Sequence, residues 1–511
     1  MGREFICGKE EPVVETAAGK LRGFRYGTTY HFFGIKYAEC RRWQQPEPVK
    51  AWEGIKDALS YGYIAYPGTP DTPVGDLLIP HRFWPKSEDC LNLNIWTQSI
   101  TGGVKKPVMV WIHGGGYAAG SAIEMVAYDG QNLSEFGDIV LVSVNHRLNA
   151  LGYLDVSDYG EAYKNSGNCG NADLVAALTW IHDNIEAFGG DPDNVTIWGQ
   201  SGGGGKVTNL MQTPAADGLF HKVIVESGIR RVSERKVEKS FSDAIVKGLM
   251  EKAGTDRFQD LVDMPVKKLL TCIEELGREG TDTRNWGPVV NDWFTGHALE
   301  DGFTPHGRTI PMLIGSNINE FGFLSPQDKY SYSEKEREKY VRDCFKEQNC
   351  DRLIELFRQT WPHKNLIDAV FLDNGYRPAV LEFMNLRARN GCAPTYNYVF
   401  AFEFPFDGGK SAWHCSEIPF TFRNTDKVPI CSKPGVTEVL ENQMSAAWIR
   451  FAYSGDPNND YLPEVWPQWS EDNKATMIFD EKCQVRVDYD RELCACHSSM
   501  KYVPVVPKMN F

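Results

Sequence analysis

The sequence predicts an α/β protein with a large, mostly parallel central sheet flanked by helices. Five short β-branched runs are typical of parallel strands that are buried on both faces. They occupy residues 108–112, 139–144, 195–198, 223–225 and 312–314. Long stretches with helical periodicity alternate with these runs, which indicates a succession of strand–helix–strand units.

The clearest predicted helix lies between the second and third of these strands. Its apolar face is formed by Leu174, Leu178, Ile181, Ile185 and Phe188. A pair of glycines follows the last of these residues and is typical of a helix end. A second amphipathic helix is predicted over about 437–453, before another glycine.

Two charge-rich stretches interrupt the succession of strands, at about 232–284 and 326–392. Both have helical periodicity, and neither is joined to the rest by a Gly/Ser-rich linker. We therefore predict helical insertions that cover the sheet and the active-site cleft. Because the motifs described below are spread along the whole chain, residues 1–511 are predicted to form a single domain.

The composition excludes some classes of partner. The net charge is −14, and no basic run interleaved with aromatic residues occurs, so a nucleic-acid partner is not expected. The longest apolar stretches have the length of strands, so no membrane span is predicted. The first ten residues contain no apolar segment typical of a secretory signal, which favours a cytoplasmic protein. The sequence leaves monomer and homodimer open.

The 13 cysteines show no regular spacing, and a chain of this length does not need a disulfide framework. Cys494, Cys496 and His497 form a short cluster that resembles half of a metal site. No second cluster completes four ligands, so we predict no metal at these residues.

The sequence Gly199-Gln200-Ser201-Gly202-Gly203 follows a predicted strand and precedes a predicted helix. A sharp turn at this point exposes the serine hydroxyl, and the small neighbouring residues admit a substrate. A serine hydroxyl becomes an effective nucleophile only when a base removes its proton. Ser201 is therefore the candidate nucleophile.

A glycine-rich turn at 113–116 follows the predicted strand 108–112. Attack on an acyl carbon places negative charge on the carbonyl oxygen, which backbone N–H groups can stabilise. Gly115, Gly116 and Gly202 are the candidate donors of this oxyanion hole. A tight turn is the alternative interpretation of the glycines after Ile112. For the glycines at 202–205, which precede Lys206, the alternative is a crossing that packs tightly or binds a phosphate.

Together with further motifs, these two sites resemble a type-B carboxylesterase, from the cholinesterase-like branch of the α/β-hydrolase superfamily. The similarity extends over nearly the whole chain. The additional motifs are SEDCLNLN at 87–94, NHRL at 145–148, FGGDP at 188–192, ESG at 226–228 and WP at 466–467.

The resemblance implies a Ser-Glu-His triad and no cofactor. The loop 315–321 resembles the one that carries the acid, which makes Glu320 the candidate, with Asp292 as the comparison acid. The loop 413–420 resembles the histidine loop, which makes His414 the base. In the implied mechanism His414 accepts the proton of Ser201, and water hydrolyses the acyl-enzyme.

The implied function is hydrolysis of small to medium, hydrophobic carboxylic esters. Tyr117, Trp286 and Trp413 are candidate aromatic linings of the substrate pocket. An acyltransferase or amidase that uses the same triad is the alternative, and a catalytically silent interaction protein is a more remote one. Secreted relatives bond the cysteine of the 87–94 motif to an upstream cysteine, but here free thiols are favoured for Cys40 and Cys90.

Overall fold

The computed structural model describes residues 3–67, 79–101, 103–231, 236–346 and 348–502. Within these ranges, twelve strands form one central sheet. In chain order they are β1 (Phe5–Ile6), β2 (Phe24–Tyr26), β3 (Thr29–Lys36), β4 (Asn92–Thr97), β5 (Lys106–Ile112), β6 (Val140–Val144), β7 (Gly190–Gln200), β8 (Lys222–Glu226), β9 (Met312–Asn317), β10 (Thr395–Phe400), β11 (Ala475–Phe479) and β12 (Gln484–Val487).

The order of the strands across the sheet is β1-β2-β3-β4-β6-β5-β7-β8-β9-β10-β11-β12. The seven strands from β6 to β11 in this order are parallel, and the strands at both edges run antiparallel to their neighbours. Val110 of β5 pairs with Val142 of β6 and with Ile197 of β7. The sequence prediction of a mostly parallel sheet is confirmed, and all five predicted strands lie in its parallel part.

The helices flank this sheet or extend from its edges. They are α1 (Gln131–Gly137), α2 (Asn149–Tyr153), α3 (Cys169–Asn184), α4 (Gly202–Leu210), α5 (Lys239–Ala253), α6 (Phe258–Val262), α7 (Val266–Arg278), α8 (Ala298–Asp301), α9 (Pro305–Thr309), α10 (Glu334–Phe345), α11 (Cys350–Thr360), α12 (Arg377–Arg389), α13 (Ile418–Thr421), α14 (Thr437–Ser454) and α15 (Arg491–Ser498).

Short 3₁₀ helices and small sheets complete the secondary structure. The 3₁₀ helices are Val126–Tyr128, Ser157–Tyr159, Glu161–Tyr163, Ser166–Asn168, Ile185–Phe188, Pro214–Ala216, Gly322–Leu324, Leu366–Phe371, Thr425–Lys427 and Pro429–Cys431. In one small sheet Gly19–Arg22 lies between Val13–Thr16 and Ile55–Asp57. Two others pair Ala38–Glu39 with Glu47–Pro48 and Glu403–Phe404 with Lys410–Ser411.

Alternate residues of the central strands pack into two separate apolar cores, one on each face of the sheet. Met109 and Trp111 of β5 belong to the first core, whereas Val108 and Val110 belong to the second. This division follows from the two-residue period of a strand, which sends successive side chains to opposite faces. Burial on both faces explains why these strands are apolar almost without interruption.

The predicted insertions are helical in the part of the chain that the structure describes. The first contains α5, α6 and α7, and its residues 232–235 lie outside the described ranges. The second contains α10, α11 and α12. Val380 and Phe383 of α12 pack in the second sheet core together with Ile314, so α12 flanks the sheet directly.

Cys40 and Cys90 are free thiols in the structure. The Cys40 thiol donates a hydrogen bond to the backbone oxygen of Glu88 at 3.6 Å. Among the described residues, no helix combines the length and the apolar character that crossing a bilayer requires.

Candidate active site

Ser201 lies at the junction of β7 and α4, where the chain turns sharply from strand to helix. Its backbone adopts φ 58° and ψ −127°, a conformation that non-glycine residues rarely adopt. Its N–H donates to the backbone oxygen of Glu226 at the end of β8, at 2.8 Å. The neighbouring strand therefore holds the turn in place, and the Ser201 side chain is partly exposed to solvent.

The glycines of this turn allow close contact with the end of β5. A Cβ atom on Gly203 would lie 2.1 Å from the backbone oxygen of Ile112, and one on Gly199 would lie 2.5 Å from the same atom. Any larger residue would push the helix away from the sheet. The glycine-rich turn that follows Ile112 is consequently next to the serine.

The two glycine-rich segments meet at Gly116 and Gly202. A Cβ atom on Gly202 would lie only 2.3 Å from the Cα atom of Gly116. Both residues line the same cavity as Ser201. Gly115 and Gly116 have φ angles of 79° and 64°, and the oxygen of Gly115 accepts from the N–H of Ala119 at 3.1 Å, which closes the turn. Gly115 shapes this turn but does not line the cavity.

Glu320 follows β9 and is completely buried. Its Oε1 accepts hydrogen bonds from the Ser227 hydroxyl at 2.6 Å and from the N–H of Asn317 at 2.9 Å. Its Oε2 lies 2.5 Å from Nδ1 of His414. Both carboxylate oxygens thus have partners, and their orientation is set by three groups from three different segments.

His414 lies in the loop between the strand Lys410–Ser411 and α13. Burial alone would lower the pKa of His414, but the charge and hydrogen bond of Glu320 outweigh this effect and raise the pKa above its ordinary value. Because Nδ1 faces Glu320, the other ring nitrogen, Nε2, is the one available to a reacting group.

Two side chains connect His414 with Ser201. The ring of Tyr376 stacks on the imidazole with 5.1 Å between ring centroids, and the Tyr376 side chain is hydrogen-bonded to Ser201. The amide nitrogen of Gln200, which precedes Ser201, lies 3.3 Å from Nδ1 of His414. The structure therefore brings the three residues of the predicted triad together at the carboxyl ends of the parallel strands.

Three further carboxyl groups are buried near Glu320. Burial and the charge of Glu320 raise the pKa of Glu417 to about 7 and that of Asp373 to about 7. Burial and the charge of Glu417 also raise the pKa of Glu226 well above its ordinary value. Oxygens of Glu417 and Glu226 accept from the Asn317 amide and from the Trp448 indole, each at 2.6 Å. Burial, together with the charge of Glu320, thus suppresses the ionisation of Glu417 and Asp373.

A cavity of about 290 Å³ opens beside Ser201. Tyr117 and Trp286 line it, as the sequence analysis expects. The Tyr117 hydroxyl accepts from the Asn209 amide at 2.7 Å, and Trp286 packs edge-to-face on Phe241 with 5.0 Å between ring centroids. Both rings are therefore held by neighbours outside the cavity. Its size lies near the lower end of the range for small-molecule sites.

Trp413 does not lie in this cavity, contrary to the expectation for a pocket aromatic. Its ring is buried against Phe404, with 4.4 Å between ring centroids, in the first sheet core. Its backbone oxygen accepts from the Asn317 amide at 2.6 Å. Its position next to His414 in sequence suggested a pocket role, but successive residues of the loop point in different directions.

The cluster at the C-terminal end is part of α15. The Cys494 thiol donates to Asp490 at 3.6 Å, and His497 Nε2 lies 3.4 Å from the backbone oxygen of Val370. In the ranges that the structure describes, no group of three or more His, Cys, Asp and Glu side chains is arranged to hold a metal ion.

Sequence reasoning missed several residues of the site. Ser227 lies in the 226–228 motif, which the sequence analysis noted without giving its residues a role, and its hydroxyl binds Glu320. Tyr376 and Arg230 carry no motif, and only the fold brings them to the cavity. A sequence signal existed for Ser227 alone, because it follows a predicted strand at the same sheet edge as Ser201.

The chain is similar to known esterases over nearly its whole length. A sequence model of the carboxylesterase family matches residues 10–497. A para-nitrobenzyl esterase from Bacillus subtilis is 31% identical over 94% of this chain and 97% of its own length. A phenmedipham hydrolase from Pseudarthrobacter oxydans is 34% identical over the same two shares.

Solved structures agree with this similarity. An esterase from Clostridium hathewayi, described as able to hydrolyze aliphatic aromatic polyesters, is 44% identical. It matches with a TM-score of 0.92 over 98% of this chain and 100% of its own. The Geobacillus stearothermophilus carboxylesterase EST55 is 33% identical, with a TM-score of 0.72 over 95% of this chain and 99% of its own.

Proposed function

The chain belongs to the carboxylesterase family, with the α/β-hydrolase fold, and from this premise we propose that it hydrolyses carboxylic esters through an acyl-enzyme on Ser201. The observation that carries the assignment of residues is the contact between His414 and Glu320, joined to Ser201 through Tyr376. This arrangement contains the nucleophile, the base and the group that orients the base.

In the first half of the reaction the Ser201 oxygen attacks the acyl carbon of the ester. Nε2 of His414 takes the hydroxyl proton as the bond forms, and the charge of Glu320 stabilises the resulting imidazolium. The negative charge moves to the carbonyl oxygen, where the N–H groups of Gly115, Gly116 and Gly202 are the proposed donors. The alcohol then leaves with the proton of His414.

In the second half a water molecule replaces the alcohol. His414 removes one proton from the water as its oxygen attacks the acyl carbon, and it returns that proton to Ser201 when the acid departs. No atom is gained or lost by the protein, and in each half His414 takes up one proton and then releases it. A pKa raised by Glu320 favours proton uptake from Ser201.

The cavity supports small to medium, hydrophobic esters as substrates. Its volume of about 290 Å³ is limited, and Tyr117 and Trp286 offer apolar surfaces on its wall. Apolar walls contribute affinity roughly in proportion to the apolar area that the substrate buries. The relatives named above act on a para-nitrobenzyl ester, on phenmedipham and on polyesters according to their names, which indicates variation of substrate within the family.

The test is the hydrolysis of 4-nitrophenyl esters from acetate to laurate by the purified protein and by Ser201→Ala. We expect turnover by the parent protein and a decrease in kcat of about 10⁵-fold or more in the variant. The melting temperature of the variant provides the control for folding. Serine-independent turnover, or no turnover of any ester, would contradict the proposal.

A second measurement separates hydrolysis from acyl transfer. Product analysis with added alcohol shows whether the acyl group passes to water or to the alcohol. We expect free acid as the main product at low alcohol concentration. Exclusive formation of a new ester would instead identify an acyltransferase that uses the same acyl-enzyme.

A further inference from the structure

We propose that the cavity beside Ser201 binds esters that carry a carboxylate at some distance from the ester bond, and that Arg230 and Arg284 bind this carboxylate. The proposal rests on the proposed ester hydrolysis and specifies the class of substrate. The class comprises half-esters of dicarboxylic acids and hydroxy acids that are acylated on their hydroxyl group.

The first argument is the charge of the cavity wall. Arg230 and Arg284 are among its lining residues, and none of the described lining residues carries a carboxyl group. His297 also lines the cavity, but burial lowers its pKa to about 4, so it is neutral at neutral pH. The described wall therefore carries positive charge in a protein whose net charge is −14.

The second argument is the position of Arg230 relative to the reacting groups. Its guanidinium carbon lies 5.2 Å from the centre of the Tyr376 ring. The same ring stacks on His414, and its side chain is hydrogen-bonded to Ser201. One aromatic ring thus separates a permanent positive charge from the triad. A substrate whose carboxylate binds Arg230 while its ester carbonyl lies at Ser201 would have only a short spacer between these two groups.

The third argument is the chemistry of the guanidinium group. Arginine stays charged at every relevant pH and presents paired N–H donors that match the two oxygens of a carboxylate. Such a pair is stronger where the partners are partly shielded from water than at an open surface, and Arg230 is half-buried. Arg284 is exposed at the edge of the cavity, where it can guide an anion inward. The two arginines therefore combine attraction with directed binding.

The experiment compares substrates that differ in charge and little in shape. Monoethyl adipate carries the carboxylate on the acyl side, and its primary amide is the neutral analogue. 6-Acetoxyhexanoate carries the carboxylate on the alcohol side, and 6-acetoxyhexanamide is its neutral analogue. At pH 8 and low salt we expect kcat/KM at least tenfold higher for the carboxylate member of one pair or both. The pair that shows the preference identifies the side on which the anion binds.

Arg230→Gln tests the residue. We expect the ratio of kcat/KM for carboxylate over amide to decrease about tenfold, because the variant keeps polar atoms but loses the charge. Arg284→Gln should lower the same ratio by a few-fold. Arg231→Gln is the matched control, since Arg231 is the next residue but pairs with Glu382 outside the cavity. This control should leave the ratio unchanged.

The outcomes separate this inference from the proposed function. Equal kcat/KM values within both pairs, or a ratio that Arg230→Gln leaves unchanged, would overturn the anionic specificity while ester hydrolysis stands. Failure to hydrolyse any of the four substrates, together with inactivity toward the 4-nitrophenyl series, would overturn the proposed function itself. Inactivity toward these four alone, with 4-nitrophenyl esters hydrolysed, would overturn the inference only.

Discussion

The two sides of Ser201 differ in how deeply their charged side chains are buried. On the acid–base side, Glu320 is fully buried and uses both carboxylate oxygens in three hydrogen bonds. On the cavity side, Arg230 is half-buried, Arg284 is exposed, and most of the wall residues lie outside helices and strands. The hydrogen bonds of the acid–base side are formed before a substrate binds, whereas the cavity side leaves space for the substrate.

This difference indicates a division of tasks. Pre-formed hydrogen bonds keep the imidazole oriented without a cost at the moment of reaction, so the acid–base side should affect all esters alike. Residues of the cavity contact the variable part of the substrate, so they should change the preference between esters. The predictions below test this division, beginning with the largest expected effect.

Glu320→Gln should reduce kcat by about 10⁴-fold for every ester. The amide nitrogen of the variant would face Nδ1 of His414 and donate to it, which places the ring proton on Nε2 and prevents that atom from accepting the proton of Ser201. The measurement is kcat for 4-nitrophenyl butyrate and for 4-nitrophenyl acetate. Asp292→Asn is the control, because Asp292 is exposed. A larger loss in the control would assign the acid to Asp292.

The pH dependence should follow the protonation of His414. Because Glu320 raises the pKa of His414 above 6.5, the imidazole is protonated up to a higher pH than usual. Activity requires the neutral base, so kcat/KM should fall about tenfold per pH unit below a midpoint that lies above 6.5. In Glu320→Gln this midpoint should move to lower pH. A profile with the same midpoint in both proteins would show that Glu320 does not act on His414.

Trp286→Leu should change the preference between esters. The smaller side chain enlarges the cavity, so the ratio of kcat/KM for 4-nitrophenyl octanoate over acetate should increase about tenfold. Trp413→Leu is the matched control, because Trp413 packs against Phe404 and lies outside the cavity. The ratio does not depend on the fraction of folded enzyme. An equal change of this ratio in both variants would contradict the division of tasks between the acid–base side and the cavity side.

Glu417→Gln should have the smallest effect, an increase in stability that depends on pH. The pKa of Glu417 is raised from 4.5 to about 7 in the folded protein, mainly by burial and also by the charge of Glu320. The folded protein therefore retains a proton that the unfolded chain releases, and stability declines as the pH rises from 4.5 to 7. Glutamine does not ionise and avoids this loss.

Melting temperatures measure this effect. The increase caused by Glu417→Gln should be roughly 1 to 3 °C larger at pH 8 than at pH 5. The exposed Glu438 on α14 is the control position, and Glu438→Gln should shift the melting temperature equally at both pH values. A stabilisation by Glu417→Gln that is as large at pH 5 would show that Glu417 is ionised in the folded protein.

Local sequence signals were sufficient for the parallel strands and for naming Ser201 as the candidate nucleophile, whereas Glu320 and His414 were named from the resemblance of their loops to a known family. Ser201 was identified by glycines on both sides, and the structure shows that Gly199 and Gly203 approach the backbone of β5. The core in which α12 packs was decided only by the fold, because periodicity indicates an apolar face but not the surface on which that face packs. The position of Trp413 outside the cavity differed from the expectation for a related reason, since sequence proximity to His414 does not determine the direction of its ring.

By itself, the sequence determined the α/β architecture and the candidate nucleophile, because strand periodicity and tight turns depend on residues close together in the chain. The candidate acid and base came from the resemblance of their loops to a known family. Only the tertiary structure decided the surroundings of these residues. Ser227 meets Glu320 across a separation of 93 residues, and Tyr376 joins His414 to Ser201, which lies on a distant segment of the chain. Such contacts arise from the packing of distant strands and loops, and they also bring Arg230 and Arg284 to one cavity.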